Sequence, residues 1–171
     1  IEWLVDERST RQRQARASVE QSLAGAQTLL GPLLQRNCVE EWEAEVGEGK
    51  ERRTVTQRRE FWQTSTPATL AVAGNARAEA RYRGLFKVNG YAATTTLEAK
   101  WDSLAHLQAQ REQRNSRLQC GAVSVMVALS DVRGIRSAQI AIDGVQAPVR
   151  AGTTHPQFPR GLHAELPELK V

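Results

Sequence analysis

The sequence predicts an α+β fold that is mainly β, with sandwich-like antiparallel sheets, an N-terminal helix and one shorter helix. Apolar and polar residues alternate with a period of two over much of the chain beyond residue 26, which is typical of half-buried strands. Short glycine- and asparagine-containing turns separate these stretches. The 171 residues, 40% of them hydrophobic, fit one ordinary globular domain of about 100 to 200 residues.

The first 25 residues are predicted to form a helix that is separate from the β-rich part. No Gly or Pro interrupts the stretch from Asp6 to Ala24, and Gly25 is a typical helix stop. One face of this helix carries apolar residues spaced four apart, at Ala15, Val19 and Leu23. We therefore divide the chain into a helix over residues 1–25 and a β-rich domain over residues 26–171.

Two hairpins are predicted in the first half of the β-rich domain. Residues 38–46 and 54–64 flank a glycine-containing turn and form the first. Residues 68–72 and 76–82 form the second, joined by Gly74-Asn75, a pair that tolerates positive φ. Charged residues on the first hairpin indicate that its faces are exposed to solvent.

The remaining elements are predicted from apolar runs, turn residues and caps. Residues 85–97 are extended, and Asn89-Gly90 within them is either a type I′ turn or a bulge in one long strand. Asp102 or Ser103 caps a second helix that reaches about Arg114 and buries Leu104 and Leu107.

The most apolar segment, residues 122–129, is predicted to be the central strand of the core. Residues 138–150 follow as two strands around an Asp143-Gly144 turn, and residues 151–159 form a loop.

Pro32 shapes the prediction for residues 28–34, because proline cannot donate to a sheet ladder. This segment fits either an edge strand or a strand with a break. An unpaired edge here, or the polar face of the first helix, is the predicted contact surface for a partner.

The usual catalytic and metal-binding patterns are missing from the sequence. His106, His155 and His163 lie far apart, and the two cysteines form no C-x-x-C motif. We therefore predict no catalytic, cofactor-binding or metal-ligating residue and no cofactor. Cys38 and Cys120 are either one disulfide or two buried free thiols, and only the fold can decide between these.

Two charged clusters are predicted to have structural roles. The run Glu40-Glu41-Trp42-Glu43-Ala44-Glu45 is a solvated strand face, because alternation places Glu41, Glu43 and Glu45 side by side with repelling charges. Asp131 and Arg133 follow the most apolar strand, and we predict a partly buried ion pair or a charge-assisted turn there.

The net charge of +4 makes nucleic-acid binding a weak alternative. Arginines are spread through the whole chain and are interleaved with glutamates, which is typical of a mixed surface and not of a basic patch. We therefore expect no nucleic-acid partner.

Four short clusters in fixed order resemble the CreD family of bacterial inner-membrane proteins, together with the charged opening Leu4-Val5-Asp6-Glu7-Arg8. The clusters are Gln27-Thr28-Leu29-Leu30-Gly31-Pro32, Arg81-Tyr82-Arg83-Gly84-Leu85, Ser130-Asp131-Val132-Arg133-Gly134-Ile135 and Gly161-Leu162-His163-Ala164. The resemblance implies a periplasmic segment, part of a longer soluble region, that lies between a first membrane helix and further membrane helices. It also favours one long strand through Asn89-Gly90.

Two function classes are consistent with these observations. The first is a non-enzymatic periplasmic module that supports envelope integrity and stress or colicin tolerance by contacting an envelope protein or cell-wall component. The second is an envelope hydrolase whose active site needs a further C-terminal portion. A deep pocket with convergent polar groups of perturbed pKa would favour the enzyme. We favour the first class.

Overall fold

The computed structural model describes residues 2–22, 26–84, 86–169 and 171. These residues form one α-helix and ten β-strands, which confirms the α+β, mainly β class. The elements are α1 (Glu2–Ser22), β1 (Leu29–Val46), β2 (Arg53–Ser65), β3 (Thr69–Arg83), β4 (Phe86–Lys100), β5 (Arg117–Cys120), β6 (Val123–Leu129), β7 (Ile140–Ile142), β8 (Val145–Ala147), β9 (Arg150–Ala151) and β10 (Gly161–Leu166).

The main sheet is antiparallel and has six strands, in the order β2-β1-β6-β10-β9, with β5 also paired to β1. The apolar strand β6 lies in the middle, as the sequence predicts. Both of its faces are covered, since Val123 and Val125 point to one side while Ser124 and Met126 are buried on the other. A strand that is buried on both faces has an almost continuous apolar sequence.

The hydrophobic core lies on one face of this sheet. Its buried members are Leu34, Leu107, Val123, Val125, Ala164 and Leu166. The two-stranded sheet β7–β8 covers them with Ile140, Ile142 and Ala147, on either side of the predicted Asp143-Gly144 turn. Each fully buried leucine or valine contributes about 1.5–3 kcal/mol relative to an exposed one, so this small cluster is a substantial part of the driving force.

The β1–β2 hairpin confirms the first hairpin of the sequence analysis, with Cys38 opposite Phe61 and Glu45 opposite Thr54. Of the two alternatives predicted for residues 28–34, the edge strand is wrong, whereas the strand with a break is confirmed by a register shift on either side of Pro32. Residues 29–35 of β1 pair with β6, so β1 lies inside the sheet. Pro32 is tolerated because the pairing shifts register between Leu30 and Leu33, where the ladder requires no N–H from it.

The second predicted hairpin is also wrong, because Gly74-Asn75 lies within β3 and not at a turn. Strands β3 and β4 pair over their whole length, and the chain reverses after Arg83, at Gly84. A Cβ at position 74 would approach the Thr94 carbonyl oxygen to 2.6 Å, so this glycine allows close strand contact. The long strand through Asn89-Gly90 is confirmed, and its unbroken register leaves no bulge.

The predicted second helix over residues 102–114 is wrong. Only a 3₁₀ turn, Ala105–Leu107, forms there, with the Ser103 hydroxyl accepting from the Ala105 N–H at 3.2 Å. Leu107 is fully buried, but residues 108–114 offer no large apolar side chain that a longer helix would bury. The side chain of Glu40 binds two of the loop's N–H groups instead, as described below.

The N-terminal helix is confirmed as α1 and contacts β3 and β4. The predicted stop at Gly25 and the apolar position Leu23 lie outside the described residues. No described helix has the length and apolar character needed to cross a membrane.

Candidate functional site

Glu40 of β1 is fully buried, whereas Glu41, Glu43 and Glu45 on the opposite face of the strand are exposed as predicted. The solvated-face prediction is therefore wrong for Glu40 alone. One oxygen, Oε1, accepts from the Ser116 hydroxyl at 2.5 Å, the Glu112 N–H at 2.9 Å and the Gln113 N–H at 3.0 Å. The other, Oε2, accepts from the Arg59 guanidinium at 2.8 Å.

These contacts explain the electrostatics of the cluster. The Ser116 hydroxyl and the Gln113 N–H lower the pKa of Glu40, more than burial raises it. Arg59 also pairs with Glu112 and stacks over the Phe61 ring, with its guanidinium carbon 4.4 Å from the ring centroid. Because the carboxylate is fully hydrogen-bonded and stays charged, it fastens the loop to β1 and is poorly suited to act as a base.

Asp131 and Arg133 form the predicted ion pair in a 3₁₀ turn that directly follows β6. The Arg133 Nη2 lies 2.6 Å from Asp131 Oδ2, and the Arg133 N–H donates to Oδ1 at 3.0 Å. Hydrogen bonds from the Arg133 side chain and backbone lower the pKa of Asp131 to about 2. This pair therefore organises a turn, which is the role that the sequence predicts for it.

Cys38 and Cys120 form a disulfide, which decides between the two alternatives left open by the sequence. They lie directly opposite one another on β1 and β5, with Cα atoms 4.0 Å apart. The bond closes a loop with a sequence separation of 82 residues and ties the short strand β5 to the main sheet.

Three of the four sequence clusters meet around the end of β6. The Thr28 N–H donates to the Ser130 hydroxyl at 2.9 Å, and the Ser130 N–H donates to the Thr28 carbonyl at 3.1 Å. Gly31 and Gly161 flank β6 from either side, both with positive φ. A Cβ on Gly161 would lie 2.1 Å from the Val127 carbonyl oxygen, so only glycine permits this approach. Residues 81–84 of the fourth cluster lie at the tip of the β3–β4 hairpin.

The face of the main sheet opposite the core carries a cleft of about 170 Å³ beside the loop at residues 152–160. Register places Asn37 next to Trp62, and Gln35, Ser124 and Glu165 in one row across three strands. The complete lining is Gln35, Arg36, Asn37, Trp62, Gly121, Ala122, Ser124, Thr154, His163 and Glu165.

Buried polar groups hold this cleft together. Gln35 is 1% exposed, and its Nε2 donates to the Thr153 carbonyl oxygen and, at 3.0 Å, to the Thr154 hydroxyl. His163 is 6% exposed, and its Nδ1 lies 2.6 Å from the Gly152 carbonyl oxygen. A carbonyl oxygen only accepts, so Nδ1 carries a hydrogen in this contact.

No site residue is predicted from the sequence, and no motif in it indicates this cleft. His155 and His163 are both buried near it, while His106 lies exposed in the 3₁₀ turn. Gln35 and Trp62 carry no motif, because their proximity depends on strand register and on the loop that folds over them. In the described residues, no three His, Cys, Asp or Glu side chains are grouped to hold a metal ion.

Comparisons with known proteins identify the family. The family model for "Inner membrane protein CreD" matches residues 1–171. The chain is 26% identical over 169 residues to the inner membrane protein CreD of Escherichia coli strain K12, covering 98% of this chain and 36% of that protein. It thus spans about a third of the length of this curated relative. No solved structure matches. The chain belongs to the CreD family of inner membrane proteins.

Proposed function

We propose that this chain is a non-enzymatic periplasmic module of an inner-membrane protein, which supports envelope integrity and stress or colicin tolerance by contacting envelope components. The disulfide between Cys38 and Cys120 carries this proposal. Structural disulfides persist in oxidising compartments such as the bacterial periplasm and are rare in the cytosol. Membership of an inner-membrane family and a disulfide together favour the periplasmic side of that membrane.

The titratable groups support a binding role over a catalytic one. The two carboxylates with lowered pKa, Glu40 and Asp131, are fully used in fastening a loop and a turn. A general base near neutral pH needs a carboxylate pKa shifted upwards. The small cleft therefore fits recognition of a ligand better than acid–base chemistry.

Placement can be tested in intact cells that produce the full-length protein. Val145 is 71% exposed, so a Val145→Cys variant presents a thiol on the surface of this segment. We expect a membrane-impermeant maleimide to label this thiol in intact cells, above the background labelling of the wild-type protein, in which Cys38 and Cys120 are bonded. Labelling only after permeabilisation would overturn the periplasmic placement.

The envelope role can be tested by complementation. In a strain that lacks the protein, the full-length form should restore the normal response to E-type colicins and to detergent. A form without this segment should fail to do so while still reaching the membrane. Full restoration by the shortened form would show that the segment has no part in the role.

A further inference from the structure

One face of the β3–β4 hairpin is mainly apolar and largely exposed. Alternation and register place the even-numbered residues of β3 and the odd-numbered residues of β4 on this surface, which we name the open face. In the described strands, Lys87 is the only charged residue on the open face. Val72, Tyr82 and Tyr91 also lie on it and are 62%, 67% and 76% exposed. Large apolar side chains therefore remain in water along this surface.

The opposite face of the hairpin differs in charge and in burial. Its residues include Arg77, Glu79 and Glu98. Val88 and Ala92 on that face are half-buried, and α1 contacts both strands, which indicates that α1 packs there. The helix thus covers the charged face, and the described residues leave the open face exposed.

The open face is large enough for a specific protein–protein contact. Each strand has 15 residues. At about 3.3 Å per residue and about 4.8 Å per strand, the face measures about 50 Å by 10 Å, or about 500 Å². A nearly uncharged exposed surface of this size is typical of an interaction site. Two such faces together would bury about 1,000 Å², which is the lower limit for a specific interface.

The distribution of side-chain size along the open face fits a second copy of the same face. Small residues, Gly74, Ala76 and Ala93, lie at its centre, whereas Leu70 lies at the base of the hairpin and Tyr82 at the tip. Two-stranded ribbons are strongly twisted, so two of them packed face to face approach most closely at their centres and diverge towards their ends. Small central and larger outer side chains suit that geometry. In a two-fold contact both partners supply the same surface.

A lipid surface fits the open face less well than a second copy does. Segments that lie in the membrane interface insert long side chains such as Trp, Phe and Leu, whereas the central alanines are too short to reach the acyl chains. The family consists of inner membrane proteins, so copies of the chain share one plane. Their high local concentration favours a contact of minimum area.

We propose that the open face is a two-fold interface between two copies of this chain, with Ala76 and Ala93 close to the symmetry axis. Burial of Val72, Tyr82 and Tyr91 against the partner removes their apolar surface from water. This contact is possible on either side of the membrane, so it does not depend on the proposed periplasmic placement.

The test uses the full-length protein in isolated inner membranes, treated with a short bis-maleimide cross-linker. Ala76→Cys places a thiol at the centre of the open face. Ala73→Cys is the matched control, because it lies at an exposed position of the same strand on the opposite face. We expect covalent dimers from Ala76→Cys and only background cross-linking from Ala73→Cys.

A second substitution tests whether the contact depends on the apolar surface. Ala80→Glu, added to Ala76→Cys, places a charge in the interface and should lower the dimer yield by about tenfold or more. Ala73→Glu in the same background should leave the yield unchanged, and melting temperatures will show that each variant remains folded. Equal cross-linking from positions 73 and 76, cross-links to a different protein only, absence of covalent dimers, or a yield that survives Ala80→Glu would overturn the proposal.

Discussion

The six-stranded sheet and the β3–β4 hairpin are built from similar alternating sequences but have opposite surroundings. Met126 in β6 is fully buried, whereas Val72 in β3 is 62% exposed and Tyr91 in β4 is 76% exposed. Both regions pair antiparallel, and the hairpin has the longer unbroken register. Local pattern therefore decides which residues become strands, while burial depends on what folds over them.

Three features hold the main sheet together, and the first two have no counterpart in the described residues of the hairpin. A disulfide, a buried carboxylate and two flanking glycines fasten loops and strands to β1 and β6. The hairpin is fastened mainly by its own ladder, by α1 and by the ion pair between Arg136 and Glu79, which is 3.4 Å long. A two-stranded ribbon is marginally stable alone, so we expect the two regions to respond differently to the same substitution.

Truncating one leucine in the core that covers the main sheet and one in the hairpin gives the largest expected contrast. Leu107→Ala should cost about 3–5 kcal/mol of unfolding free energy, because this side chain is fully buried in the core. Leu70→Ala should cost about 0.5 kcal/mol or less, since Leu70 is 43% exposed on the hairpin. Urea titration of both variants measures the difference, and equal costs would contradict the contrast.

Removing the disulfide is expected to have the next largest effect. The double variant Cys38→Ser/Cys120→Ser should lose about 2–4 kcal/mol, because a long loop is no longer closed in the unfolded chain. Urea midpoints with and without reductant test this. Reductant should lower the urea midpoint of the wild type and leave that of the double variant unchanged. A wild-type midpoint that does not change with reductant would refute a stabilising role for the disulfide.

Gly161→Ala should destabilise the sheet by about 1–3 kcal/mol, because a Cβ there collides with backbone that cannot move freely. Gly144→Ala is the matched control: its φ is also positive, at +82°, but a Cβ would meet nothing within 4 Å. Thermal unfolding should show the larger loss at Gly161. Similar losses would mean that φ strain alone, and not the approach to β6, sets the cost.

The smallest expected effect is the acid sensitivity of the turn after β6. The folded pKa of Asp131, about 2, lies below its ordinary value of 3.8. Its contribution to stability is therefore complete above about pH 4 and is lost as the pH falls towards 2. Asp131→Asn should flatten the fall in stability across this interval, and Arg133→Gln should do so too, as measured by urea midpoints. An unchanged slope in both variants would contradict the assignment.

The sequence by itself predicts the fold class, the helix α1, the hairpin β1–β2, the central strand β6 and the Asp131–Arg133 pair. These follow from periodicity and from residues close in the chain, which act through local geometry. The predicted turn at Gly74-Asn75 failed because a glycine required for close strand contact resembles a glycine required for a turn. The predicted helix over residues 102–114 does not form. Backbone N–H groups of this segment donate to the Glu40 side chain instead, which is 72 residues away from Glu112 in the sequence.

Only the tertiary structure decided which polar residues are buried and which of them meet. Glu40 and Glu41 are neighbours in sequence, yet one is enclosed by Arg59 and Ser116 and the other faces water. The cleft likewise combines Gln35, Trp62 and Thr154 through strand register and a folded loop. Alternation specifies that successive side chains point to opposite faces of the sheet. The loops and strands that pack over each face come from distant parts of the chain.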